Sequence, residues 1–373
     1  MEFRIDKDQF LKALQKIQGI VEKRTSMPIL SNVLLEATES SLLVTATDLE
    51  VGMKSSYSAE VASTGKITVS AKKLYEIVKE LPNQQIVFST KDNDWVEIKC
   101  GKVQFNIVGL SPDEFPYFPD VKQENLFEIE SLLLKSMIDK TSYAICTDET
   151  KYNLNGILAK VEVGSDGMNC LKMVSTDGHR LSIASGNFKG TPGPELLKGV
   201  ILPKKGVYEM KKITDEEGGS LLFGFMDNSA VIKRGDSYMV MRLVDGEFPD
   251  YNRVIPTANN QIVTVNKDNF SHSVRRMAIL SSEKFKGIML EISSGGIKIS
   301  SSNPELGDAM EEIDVAYEGD PISVRFNARY LLDVLSVAET ENVDMKFKDE
   351  LSPSIIVPEK SESFLAVIMP MRL

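Results

Sequence analysis

The chain has 373 residues, of which 42% are hydrophobic and 26% charged, and a formal net charge of −11. That length allows two or three domains, and the balance excludes a disordered tail, a collagen-like fibre and a bundle of spanning helices. The start, Met1-Glu2-Phe3-Arg4-Ile5-Asp6, lacks the basic and apolar regions of a secretion signal, and the three cysteines Cys100, Cys146 and Cys170 are widely spaced. The expectation is a cytoplasmic protein with small buried thiols, no disulfide framework and no structural zinc site.

The first predicted element is an amphipathic helix over Asp8 to Gln18, with Phe10, Leu11, Leu14, Ile17 and Val21 on one stripe. A strand over Leu30 to Ala37 and a polar turn at Thr47-Asp48-Leu49-Glu50 follow. A second helix opens at Ser70-Ala71-Lys72-Lys73-Leu74, and strands such as Trp95 to Lys99 and Val103 to Ile107 alternate with period two. The same order then recurs: helix Ser131 to Tyr143, strand Leu154 to Val161, turn Thr176-Asp177-Gly178-His179, helix from Pro203-Lys204-Lys205-Gly206-Val207. It recurs once more as helix Asn269 to Leu280, strand Phe285 to Ile292, turn Ser302-Asn303-Pro304-Glu305 and helix from Asn327-Ala328-Arg329-Tyr330-Leu331. The turns lie 129 and 126 positions apart, far beyond the ~20–50 residues of a solenoid repeat. The spacing predicts three tandem α+β domains built on antiparallel sheets. Proline-containing hinges over 112–119 and 245–251 divide them into 1–124, 125–252 and 253–373.

Charge is unevenly spread. The six predicted helices with their caps hold 20 basic and 11 acidic residues, so they carry +9 and the rest of the chain −20. Lysines favour exposed helix faces in any protein, but that does not make sheets and loops acidic. A basic helical surface on an acidic remainder aims a polyanion at one face. Without arginine-rich patterning, the contact would be with phosphate and carry no sequence information.

Four motifs then carry a resemblance over nearly the whole chain. Met27-Pro28-Ile29-Leu30-Ser31-Asn32-Val33-Leu34-Leu35, Ser175-Thr176-Asp177-Gly178-His179-Arg180-Leu181, Phe248-Pro249-Asp250-Tyr251 and Val367-Ile368-Met369-Pro370-Met371-Arg372-Leu373 resemble the bacterial sliding clamp family, the beta subunits of DNA polymerase III. The resemblance implies a DNA-clamp fold of three similar domains, helices inside and antiparallel sheets outside, two chains joined head to tail around duplex DNA. It implies a non-catalytic processivity factor in DNA replication, without cofactor, whose partners are the polymerase III alpha subunit, the clamp loader and other proteins carrying a clamp-binding linear motif.

The resemblance also implies three sites. A partner-peptide pocket maps to Leu154, Thr176, Gly178, His179, Arg180, Leu181, Pro249, Arg253, Val254, Val367, Met369, Pro370, Met371, Arg372 and Leu373. Methionines suit a groove with several occupants. Without the resemblance, the C-terminal apolar run reads as an edge strand finishing a core. Pro353 departs from the family, which often has a small polar residue there, and would reshape one rim. Arg24 and Tyr152 match positions that approach DNA, while Lys12, Lys16, Lys72, Lys73, Lys204 and Lys205 are candidates from charge and helical placement. The dimer seam maps to Phe105 and Ile107 on one edge and Ile279 and Leu280 on the other. Lys99 and Lys102 lie on the first edge, and Glu305, Asp308, Glu311 and Glu312 lie near the second.

Two other readings compete. One is a scaffold that binds peptides and never meets DNA, against which the basic helices count. The other is a hydrolase using Asp177 and His179. No Gly-x-Ser-x-Gly elbow occurs, and the chain's two histidines, His179 and His272, make a catalytic or metal cluster a poor reading.

Overall fold

The structure is a computed structural model, describing residues 1–22, 27–121, 126–163, 168–215, 218–281 and 287–371. The backbone divides into two compact units, residues 1–131 with 208–243, and residues 132–207 with 244–373. The seven helices among the described residues are α1 (Lys7–Ile17), α2 (Ala71–Glu80), α3 (Ser131–Ser142), α4 (Pro194–Lys198), α5 (Lys204–Thr214), α6 (Lys267–Ala278) and α7 (Ala328–Val337). Six coincide with the predicted helices. The short α4 has no amphipathic period to announce it; it opens on Pro194 and stops at Gly199, whose φ is 95°.

Helix starts are set by capping. Asp6 accepts from the N–H groups of Asp8 and Gln9 at 2.9 and 3.1 Å, and Ser70, Asn266 and Asn327 cap α2, α6 and α7 in the same way. Strand starts shift where the sequence places a proline or a tight turn. Leu30 lies in the 3-10 turn Pro28–Ser31, so its strand is Asn32–Ala37; Leu154 ends the turn Tyr152–Leu154, and its strand is Gly156–Val163. Phe285 is outside the described residues, and its strand runs Gly287–Ser293.

In the first unit, a five-stranded sheet ends on the edge strand Val103–Val108, and an eight-stranded sheet combines four strands of the first repeat with four of the second. They join where Ser237–Met241 pairs with Val51–Ser55. Phe3, stacked on Phe88 at 4.9 Å and edge-on to Phe10 at 6.2 Å, ties α1 to its sheet. In the second unit, another eight-stranded sheet combines four strands of the second repeat with four of the third, joined where Phe364–Ile368 pairs with Arg180–Ala184. The C-terminal strand is therefore interior, flanked by Arg180–Phe188 and Ser354–Pro358, and is not the edge that its position in the sequence suggests. A four-stranded sheet in this unit ends on the edge strand Gly307–Asp314. Phe270, Val274, Leu331 and Leu335 of α6 and α7 fill the core beneath it with Phe326 and Phe347.

Gly156 has no room for a side chain: a Cβ would lie 2.2 Å from the Leu202 carbonyl oxygen of the neighbouring strand, whereas at Gly218 nothing lies within 4 Å. Gly156→Ala is expected to destabilise by about 1–3 kcal/mol through overpacking, while Gly218→Ala leaves thermal unfolding nearly unchanged; differential scanning calorimetry of both variants checks this.

Candidate functional site

The turn between Asn169–Thr176 and Arg180–Phe188 is built by its own side chains. Thr176 Oγ1 donates to the Arg180 carbonyl at 2.7 Å and accepts from the Gly178 N–H at 3.1 Å. Asp177 Oδ1 accepts from the N–H groups of His179 and Arg180, and its Oδ2 from Arg180 Nε at 3.1 Å. Gly178 sits at φ 89°, where a side chain would be strained. The Asp177 carboxylate is thus a turn-builder, and the exposed His179 ring stacks on Tyr330 at 6.5 Å. These partners account for the Asp-x-His spacing without a nucleophile.

Strand alternation sorts the joint into two faces. On one, Ser175 Oγ and Ser182 Oγ donate to the carbonyls of Thr141 and Lys140 at 2.5 Å each, so small residues let the end of α3 press close. On the other lies an apolar patch in two cross-strand rows, Leu158–Val174–Ile183–Leu365 and Thr176–Leu181–Val367–Ile355. Val174, Leu181, Ile355 and Val367 are buried; Phe248, Tyr251 and Ile255 pack against them from the hinge.

Of the residues predicted for the pocket, Thr176, Leu181 and Val367 stand in this patch. Leu181 and Val367 are in its floor. Met369 continues the strand through its N–H to the His179 carbonyl at 2.9 Å, and Met371 donates to the Arg325 carbonyl at 2.8 Å. Pro370 between them is half-buried; Pro249, Arg253 and the 38%-exposed Val254 lie on the hinge, with Arg253 paired to Asp250 at 3.0 Å. Leu154 is buried outside the patch, its carbonyl accepting from the Cys146 N–H. The carbonyl of Pro353, the family departure, accepts from Asn259 Nδ2 at 3.0 Å, which ties that rim down. Arg372 and Leu373 lie outside the described residues. Val174 and Ile355 were missed; period-two alternation from Thr176 and from Val357 could have found both.

Arg180 is not a groove wall offering charge. Its guanidinium is buried between the rings of Tyr143 and Tyr330, 5.1 and 4.4 Å from their centroids. It donates to Asp177, to Asp333 Oδ2 at 2.6 Å and to the Tyr143 carbonyl at 2.5 Å. Burial pushes both phenols above their ordinary range. Arg180 therefore pins the turn, the end of α3 and α7 to one another.

The equivalent joint in the first unit is filled from within. Gly52 stands where the second joint has Leu181, and a Cβ there would meet the Phe118 ring at 2.3 Å. Phe118 packs on Tyr238 at 5.7 Å, the Tyr238 hydroxyl donates to the Pro119 carbonyl at 3.0 Å, and Lys54 pairs with Asp120 at 3.2 Å.

Of the basic candidates, Lys12 is exposed and Lys16 half-buried on α1. Lys72 and Lys73 lie in the first turn of α2 and share Glu76 at 3.8 and 2.9 Å; Lys204 and Lys205 open α5. Neither helix has an acidic residue in its first turn, nor has α7, which begins Ala328-Arg329. Tyr152 is 61% exposed beside Gly246. Arg24 lies outside the described residues.

On the edge strand of the first unit, Val103, Phe105 and Val108 are exposed and Ile107 is half-buried. In the second unit, Ile279 is 75% exposed and Leu280 half-buried just past α6, the helix that packs on Gly307–Asp314. Two seam charges are already used at home. Lys99 pairs with Glu97 at 3.0 Å, and Glu311 accepts from Ser273 Oγ at 2.8 Å and Arg276 Nε at 2.8 Å, the arginine holding its carboxyl below the usual range. Lys102, Glu305, Asp308 and Glu312 are exposed.

A thrice-repeated α+β unit, joined sheet edge to sheet edge with an apolar patch at one joint, defines a protein of the DNA-clamp fold. The chain belongs to the DNA polymerase III beta subunit family: residues 1–119, 128–250 and 252–372 match its N-terminal, central and C-terminal domains. It is 36% identical to the beta sliding clamp of Pseudomonas aeruginosa and 34% identical to that of Escherichia coli, over the full length of each pair. Among solved structures, it resembles a sliding clamp from Bartonella birtlesii bound to griselimycin (TM-score 0.94, 33% identity) and the Caulobacter crescentus clamp (TM-score 0.93, 34% identity), all of both chains being covered in each case.

Arg180→Gln would leave Asp177 and Asp333 without their buried partner. A loss of about 3–5 kcal/mol is expected, with Arg180→Lys intermediate because it keeps the charge but not the fork; urea unfolding of the three proteins measures both.

Proposed function

We propose that this chain is a DNA sliding clamp that closes as a head-to-tail ring of two copies around duplex DNA and tethers the polymerase III catalytic subunit. The observation that carries this is the repetition of one joint. When the repeats are superposed through their hairpin pairings, Ser237↔Ser55 in the first unit and Phe364↔Ala184 in the second are the same pair. Both joints end on the same bond, from Arg242 N–H to the Glu50 carbonyl at 2.8 Å and from Met369 N–H to the His179 carbonyl at 2.9 Å. In that scheme the closing strand of each repeat pairs with the post-turn strand of the repeat before it. Two strands are left over, Val103–Val108 and Gly307–Asp314, and both are sheet edges.

Carrying the register across places Phe105 opposite Ala309, Ile107 opposite Gly307, Gln104 opposite Met310 and Lys102 opposite Glu312 of the partner subunit. The faces agree. Phe105 pairs with buried Ile98 and Ala309 with buried Ser301, so both point to the core side, toward Ile279 and Leu280. Three domains per chain, over 1–124, 125–252 and 253–373, give six around the ring.

The helices face the hole in this reading. Basic residues in the first turns of α2, α5 and α7 oppose the helix dipole, at about 0.3–1 kcal/mol each when exposed; a phosphate held against those N-termini reverses that sign. Lys12, Lys16, Arg24 and Tyr152 add sequence-independent contacts, and topology rather than affinity retains the DNA. The chain makes and breaks no bond, needs no cofactor and works in the bacterial cytoplasm. Its groove takes the apolar linear motifs of the polymerase alpha subunit, the clamp loader and other partners.

Directly opposite residues of antiparallel strands have Cα atoms ~4.5–5.5 Å apart, within disulfide reach. Gln104→Cys with Met310→Cys is expected to oxidise to a covalent ring that stays on circular duplex DNA in high salt and is released when the DNA is cut. Crosslinking instead by the off-register pair Gln104→Cys and Asp308→Cys would refute the register.

Deleting Met369 to Leu373 is expected to leave the dimer and its DNA retention intact while removing one groove wall. Losing two apolar contacts of about 1.5 kcal/mol each weakens a polymerase-derived peptide about a hundredfold at ~1.4 kcal/mol per decade, which titration calorimetry reads.

A further inference from the structure

Exposed apolar side chains scattered singly are ordinary, but two in this chain stand in one row. Trp95 is 45% exposed and pairs directly with Val108, itself 58% exposed, on the outward side of the last hairpin of the first unit. That side is opposite to the one carrying Phe105 and Ile107, because side chains alternate along a strand. In the second unit, Leu306 is 66% exposed in the turn that leads into the edge strand Gly307–Asp314. Both internal joints end with an N–H of the closing strand bonded to the carbonyl of the residue just before the post-turn strand, Glu50 in one and His179 in the other. The equivalent pair at the seam is Val108 with Leu306 of the partner subunit.

We propose that Trp95 and Val108 of one chain close over Leu306 of the partner subunit, forming a second apolar contact on the outer face of each seam. This rests on the ring reading and deepens it. The occupant is a second copy of this chain because continuing the internal register brings Leu306, and no other exposed apolar residue of that edge, opposite Val108. Neighbouring strands lie ~4.8 Å apart, so the Trp95 and Leu306 backbones are ~10 Å apart across Val108, a gap that an indole and a leucine side chain together span. The outer contact keeps water from the seam's hydrogen bonds on the side away from Phe105.

Trp95 is the single tryptophan of the chain, so tryptophan emission reads this contact alone. The intact dimer is expected to emit at shorter wavelength, and to be quenched by acrylamide about twofold less, than the monomer reached by dilution. Leu306→Ala, in an exposed turn with nothing to unfold, is expected to restore the quenching of the monomer at concentrations where sedimentation still finds a dimer, and to weaken the dimer about tenfold. A sedimenting dimer whose Trp95 quenches like the monomer overturns the outer contact and leaves the ring standing. A chain that is monomeric at every concentration, with the Gln104→Cys and Met310→Cys pair failing to crosslink, overturns both.

Discussion

A sheet edge cannot be left bare, and this molecule is organised around that constraint. Unpaired strand N–H and C=O groups must find partners or be protected. Each repeat has a closing strand and a post-turn strand that would both be edges in isolation. The chain pairs them across repeats twice, in one register, and so turns four prospective edges into the middles of two eight-stranded sheets. The central repeat consequently contributes strands to both compact units. The Val103–Val108 edge carries mainly apolar side chains, whereas Gly307–Asp314 interleaves Ala309, Met310 and Ile313 with the acids Asp308, Glu311, Glu312 and Asp314. Glu311 and Lys99, which could have served as cross-chain charges, are spent on Arg276 and Glu97. What remains for a partner is mainly backbone pairing and apolar surface, with rim charges setting direction more than strength.

The second joint carries the apolar patch proposed as a groove while its counterpart is closed by its own hinge, and the difference comes down to few residues. Gly52 leaves a hollow that Phe118 fills, and Tyr238 and Lys54 hold the hinge down over it. At the second joint Leu181 raises the floor, and the hinge residues Phe248 and Tyr251 stand beside the patch as a wall. The groove therefore depends on the turn that carries Leu181 staying in place, and Arg180 secures it. A buried cation with two carboxylates, a carbonyl and two aromatic faces is costly to desolvate and repays that only with full coordination. Here Nε, Nη1 and Nη2 each have an acceptor and both faces of the guanidinium meet a ring, so the charged group serves as a strut beside the apolar patch.

Much of this was legible in the sequence. The repeated order of elements located six helices, and the structure shows that four of their starts are set locally, by the caps Asp6, Ser70, Asn266 and Asn327. The threefold order of elements could be read because each turn is built by a side chain within a few residues of it. Pairing between repeats could not. Nothing local distinguishes Phe364–Ile368 as an interior strand from an edge strand, because its partner Arg180–Ala184 lies nearly two hundred positions away. Separation in sequence hid Arg180 too: a residue in a polar turn reads as exposed until Tyr143 and Asp333, 37 and 153 positions away, are brought around it. Val174 and Ile355 were missed because a resemblance transfers motif positions, whereas a groove floor is set by the parity of strands that the motifs do not span.

The basic first turns of α2, α5 and α7 oppose the helix dipole with no acidic residue beside them to offset it. In α1 and α6 the first residues Lys7 and Lys267 are each followed by an acid, Asp8 and Asp268, while Lys16, Lys79, Arg275 and Arg276 sit in last turns, where the dipole favours them. A locally unfavourable placement repeated at the equivalent position of all three repeats is not drift, because it recurs where the repeats otherwise differ: Lys72-Lys73, Lys204-Lys205, Arg329. Such departures are expected where function overrides stability. A partner that removes the penalty at these helix starts would be anionic. A nucleic-acid backbone has that charge. In the proposed ring, contacts that are individually weak and carry no base information would let the duplex move past the helices while closure retains it.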